Sequence, residues 1–72
     1  MYYKVTVKGR RKSAEYVFYW PRDTFPANDE TDLVELASRK MDDLVQIRKE
    51  IEDKLGSDFE VVRVEESLRQ RP

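Results

Sequence analysis

Hydrophobic and polar residues alternate from the second position of the chain. Tyr3, Val5 and Val7 fall on one side of residues 2–8 and Tyr2, Lys4, Thr6 and Lys8 on the other, the period of two expected of a half-buried strand. Gly9-Arg10-Arg11-Lys12 interrupts this with a polar stretch headed by glycine, the kind of connection that leads into an antiparallel partner. Alternation resumes over 13–20, where Ala14, Tyr16, Phe18 and Trp20 form an aromatic face and Glu15, Val17 and Tyr19 the other. Pro21 and Pro26 bracket a segment that cannot continue a ladder. Asn28-Asp29-Glu30-Thr31-Asp32 then offers a capping residue and acids for the positive end of a helix beginning near Asp29.

The period changes there. Leu33, Leu36, Ala37, Met41, Leu44, Ile47, Ile51 and Leu55 recur every three or four residues on one stripe, which predicts a single long helix ended at Gly56 by a left-handed stop. About 26 helical residues span roughly 39 Å, against roughly 26 Å for an eight-residue strand, so the overhang needs a kink, a partner or solvent. Residues 58–65, Asp58-Phe59-Glu60-Val61-Val62-Arg63-Val64-Glu65, predict a third strand. Phe59/Val61 and Val62/Val64 fall on opposite faces of it, which calls for a bulge or a two-sided strand. Residues 67–72 are expected to form a polar, mobile tail after a single domain of residues 1–66.

The expected architecture is α+β, a ββαβ unit whose three-stranded antiparallel sheet has the order 2-1-3 and carries one long helix packed on one face. The other sheet face is then uncovered.

Composition narrows the function. Seventy-two residues with 39% hydrophobic and 40% charged side chains fill one sheet-to-helix interface and leave little room for an enclosed cavity. There is no His and no Cys, so the side chains most used for acid-base catalysis near neutral pH, thiol chemistry and zinc binding are missing, and no enzyme, metal or cofactor is expected. The two glycines, Gly9 and Gly56, are accounted for by a turn and a helix end, which leaves no phosphate loop. The helix acids are expected to be solvated and locally paired, as Glu50 with Lys54. No apolar run approaches a membrane span and no signal segment is visible, so a soluble, cytoplasmic protein is expected, in the host cytoplasm if the chain is viral.

Fourteen Lys and Arg against 15 Asp and Glu give a net charge of −1, so charge-driven binding has to come from local clusters. Lys8, Arg10, Arg11 and Lys12 at the hairpin tip form the densest one, suited to phosphates, to an acidic protein surface, or merely to solubility. Tyr2, Lys4, Thr6, Val17 and Tyr19 would share the uncovered face, a mix of aromatics and cations found on single-strand RNA platforms and also in ordinary strands. Strand three leaves an edge to which another protein's strand could add, and its Arg63 can grip a carboxylate or pair with a neighbouring acid.

With an aromatic hairpin, a helix opening Glu30-Thr31-Asp32-Leu33-Val34-Glu35-Leu36-Ala37 and a closing Phe59-Glu60-Val61-Val62-Arg63-Val64, the chain resembles the small early inhibitors of bacterial RNA polymerase made by short-tailed lytic coliphages. The resemblance implies a phage protein of host takeover. Such a protein binds the jaw region of the polymerase largest subunit beside the DNA channel and blocks the open promoter complex. Arginines of the closing strand matter for binding in that family. Arg63 matches the first, while Glu65 stands at the second with reversed charge. Two rival expectations remain: a small nucleic-acid-binding module using the hairpin tip with Tyr2 and Tyr19, and an inhibitor of another host or defence complex. A homodimer through Met41, Leu44, Ile47 and Ile51 of the long helix is compatible with all three.

Overall fold

Alternation is realised along the first strand except at Thr6, which is buried with its neighbours Val5 and Val7. The computed structural model describes residues 1–25 and 32–68 and places β1 at Tyr2–Gly9, β2 at Glu15–Pro21 and β3 at Phe59–Ser67. The sheet is antiparallel with the order β2-β1-β3, as expected. Gly9 belongs to the strand and not to the turn. It is buried, and a Cβ there would meet the backbone oxygen of Leu55 at 3.3 Å, so glycine permits the close approach of a helix end. The Gly9 N–H closes the hairpin onto the Ala14 carbonyl at 3.2 Å. Pro21 pairs with Tyr2 as the last residue of β2, a position on an edge strand that tolerates the missing N–H.

The third strand resolves its two-sided pattern with a bulge. Thr6 lies opposite Arg63 but Val7 lies opposite Val61, so Val62 is the extra residue. The shift keeps Phe59, Val61 and Val64 toward the core while sending Arg63 and Glu65 the other way. β3 runs to Ser67, one residue into the expected tail. Leu68 is 80% exposed, and residues 69–72 lie outside the described residues.

The single long helix is not formed. Two helices, α1 at Leu33–Lys40 and α2 at Val45–Leu55, are joined by a 3-10 turn at Met41–Asp43 and by Leu44, so the element order is ββααβ. Leu44 leaves helical geometry at φ −98° and ψ 68°. Its N–H bonds back to the Met41 carbonyl, and its carbonyl accepts the first bond of α2 from Arg48. The stripe continues in phase through the break, so its period alone does not reveal it. Charge does mark the joint: Arg39-Lys40 suits the negative end of α1 and Asp42-Asp43 the positive start of α2. Breaking the rod removes the overhang.

α1 starts at Leu33, with Asp32 as its cap accepting from the backbone N–H groups of Val34 and Glu35 at 3.0 and 3.3 Å. The expected start near Asp29 falls outside the described residues. Gly56 ends α2 with φ 84° and ψ 179°, a positive φ as expected, but extended rather than left-handed helical in ψ.

Both helices cover the same sheet face. Tyr3, Val5, Val7, Phe18, Trp20 and Val61 meet Leu36, Ala37, Met41, Ile51 and Leu55 in one core, which Phe25 joins from beyond β2. The Phe25 ring lies 4.5 Å from Tyr3 and 4.7 Å from Trp20, edge-on to the latter. Met41 and Ile51 are buried, and Leu44 and Ile47 are half-buried against that core. The stripe proposed for homodimer contact is thus used within the chain, and pairing through it loses its surface.

Candidate binding surface: the open sheet face and the hairpin tip

Side chains on the uncovered face are set by the pleat of β1 and by its two registers. Tyr2 lies between Pro21 and Ser67, Lys4 between Tyr19 and Glu65, Thr6 between Val17 and Arg63, and Lys8 between Glu15 and Glu60. Tyr2 and Tyr19 are diagonal neighbours, close enough for aromatic side chains to share one patch. Five of the expected site residues, Tyr2, Lys4, Lys8, Tyr19 and Arg63, are therefore brought together. So is Val17, an apolar residue that is exposed on this face.

Arg63 does not present a bare charge. Its Nε lies 2.8 Å from an Oε1 of Glu65, two residues on along the same face, and both side chains are more than half exposed, at 56% and 52%. Residues at i and i+2 of a strand share a face, so this pairing was available in the sequence as Arg63-Val64-Glu65. Among the described residues the face carries three cations, Lys4, Lys8 and Arg63, against three acids, Glu15, Glu60 and Glu65. It is charge-balanced and amphipathic.

Thr6 sits at the centre of the face, between Val17 and Arg63 on the neighbouring strands, yet has no exposed surface. Its Oγ1 has no hydrogen-bond partner among the described residues.

The hairpin tip is also partly neutralised. Arg10 reaches Glu60 at 3.2 Å and Asp58 at 3.5 Å, while Arg11 reaches Asp58 at 3.6 Å. The Arg10 N–H bonds the Asp58 carbonyl at 3.0 Å, so the tip is stitched to the start of β3 by backbone as well as charge. Lys8 and Lys12 have no ion pair among the described residues. Asp58 and Glu60 were absent from the expected site, although a closing strand antiparallel to β1 necessarily brings its own start to the hairpin tip.

On the helical side a groove runs between the helix joint and β3, lined by Met41, Phe59 and Val61 with Arg10 and Arg48 at its rim. Arg48 pairs with Asp42 and, at 3.6 Å, with Glu52, and its guanidinium lies 5.9 Å from the Phe59 ring centre. Both rim arginines are thus committed to acids of this chain. Glu50 and Lys54, expected to pair with each other, both turn to Tyr16. The Tyr16 hydroxyl donates to Glu50 at 2.6 Å, and the Lys54 ammonium lies 5.8 Å from its ring. That hydrogen bond, followed by partial burial and the Glu50 charge, pushes the Tyr16 hydroxyl up to about 12.

Among the described residues no group of three or more acids is placed to hold a metal ion, and no helix is long and apolar enough to cross a membrane. No family model, curated protein or solved structure matches the chain.

Proposed function

We propose that this chain is a binding module that docks its open sheet face on another protein and inhibits it, with bacterial RNA polymerase the first target to test. The observation that carries the reading is the charge balance of that face. Among the described residues, three cations and three acids surround two tyrosines and a valine, a pattern suited to a mixed protein surface. Phosphate binding asks for a surplus of positive charge, and here Arg10 and Arg11 are already held by Asp58 and Glu60. The closing-strand likeness to the coliphage inhibitors supports the choice of polymerase. Glu65 modifies that likeness, because a partner carboxylate has to displace it from Arg63. No catalytic role is assigned to any residue.

The test is binding of the purified chain to nuclease-treated bacterial RNA polymerase, measured over a salt series and followed by an assay of promoter opening. Stoichiometric binding lost in Arg63→Glu and in Tyr19→Ala, together with reduced opening, supports the reading. Failure to bind polymerase removes the target. Binding to nucleic acid alone, with affinity falling steeply as salt rises, replaces the reading with the nucleic-acid module.

A further inference from the structure

The outer edge of β3 carries a charge pattern that fits itself. β3 is nine residues long and pairs only with β1, so its other side has no strand partner among the described residues. Exposed edges of this length are normally blunted by charge, and β3 carries Glu60, Arg63, Glu65 and Glu66. Those charges repel most strands, but not every one.

We infer that two copies of this chain associate edge to edge through β3, antiparallel about a two-fold axis at Val64. In that register Arg63 faces the partner's Glu65 and Glu65 faces the partner's Arg63. Opposite charges directly across an antiparallel pair are favourable and like charges are not. The Arg63 and Glu65 side chains already lie on one face 2.8 Å apart, each about half exposed, so the two copies close an alternating ring of four charges without rearranging the strand. Val64 meets its own copy at the axis, and the exposed Val62 faces the partner's Glu66, whose methylene stem can cover it. Such a contact is isologous and closes at two chains.

The opposite edge offers no comparable match. β2 ends at Pro21, and its only charged residue is Glu15. Pairing through β3 would give a six-stranded sheet with a continuous open face, and association is a common source of stability for a single core of this size. The dimer edge and the proposed docking face share Arg63, so a variant away from that residue is needed to tell them apart. Tyr19→Ala separates the two, since it should lower target binding and leave self-association unchanged.

Sedimentation equilibrium of the full chain and its charge variants decides the matter, with circular dichroism confirming that each variant is folded. The native chain should show a concentration-dependent two-chain mass. Arg63→Glu and Glu65→Arg should each weaken the dimer about tenfold or more, because each turns both cross-strand pairs repulsive. An equimolar mixture of these two variants should recover a two-chain species, since a strand with acids at both positions then faces a strand with arginines at both. The double variant Arg63→Glu/Glu65→Arg should dimerise alone. A native chain of one-chain mass up to the highest soluble concentration overturns the inference. So does a dimer indifferent to both reversals, or a variant mixture that stays monomeric.

Discussion

The Tyr16 hydroxyl donates a 2.6 Å hydrogen bond to the Glu50 carboxylate, tying the sheet edge at β2 to the second turn of α2. The bond holds the phenol protonated well above its ordinary 10.0, up to about 12. A proton held more tightly in the folded chain stabilises it fully below pH 10.0, and this contribution fades as pH rises through about 12. Tyr16→Phe should cost about 1 kcal/mol at neutral pH. The stability gap between the native chain and Tyr16→Phe, followed by urea unfolding at several pH values, should stay level to pH 10.0 and close above it. A gap that closes on the acid side instead would show that the bond is not what holds Tyr16.

Thr6→Val should stabilise the fold. The hydroxyl is buried without a partner among the described residues, so the residue bears a desolvation cost that valine of nearly the same shape avoids. A gain of about 1 kcal/mol is expected from chemical denaturation. A loss of similar size would mean that the hydroxyl is bonded in solution.

Asp32 caps α1 through two backbone N–H groups. Asp32→Ala should lower stability by about 1 kcal/mol and Asp32→Asn by a smaller amount. Equal losses in the two variants would point to the charge of Asp32 rather than its acceptor geometry.

Gly56→Ala should be costly although the site is open. Beyond its two chain neighbours, no atom of the described residues lies within 4 Å of an added Cβ, so steric contact is not the issue. The backbone at φ 84° and ψ 179° is a region essentially reserved for glycine, and forcing alanine into it costs about 1–3 kcal/mol. A thermal unfolding curve unmoved by the substitution would contradict this.

Lys4→Gln should leave thermal unfolding nearly unchanged, since the side chain is half-exposed and the substitution sets no acid opposite Glu65. In the same variant, target binding should fall if that face is the docking surface. Loss of stability with binding intact would place Lys4 in the fold and remove it from the surface.

Much of the sheet was legible because a strand with one buried face needs strict alternation. Tyr3, Val5 and Val7 alternate with Tyr2, Lys4 and Thr6, which fixes the face each residue takes, while the register itself came only from the pairing. The closing strand was legible in outline, but its two apolar pairs on opposite faces left a bulge and a two-sided strand equally open, and only the pairing with β1 places the extra residue at Val62. The helix break was not legible from the stripe, since Met41, Leu44 and Ile47 keep helical spacing on either side of it. The only local sign was the switch from Arg39-Lys40 to Asp42-Asp43, which a salt-bridged helix surface also produces. Of the candidate surface, the open-face residues were legible from the pleat, whereas the pairing of Arg10 and Arg11 with Asp58 and Glu60 was not. It joins residues far apart in the chain.

Local pattern was enough for the strands, the glycine stop at Gly56 and the choice of side chains that face away from the helices. All of these follow from periodicity along the chain and from the short-range sterics of each residue. Packing settled where the long apolar stripe divides, which acids neutralise the hairpin arginines, and that Glu50 and Lys54 both turn to Tyr16. Each of these depends on how far two elements extend over one another once packed, a distance that no neighbouring residues encode.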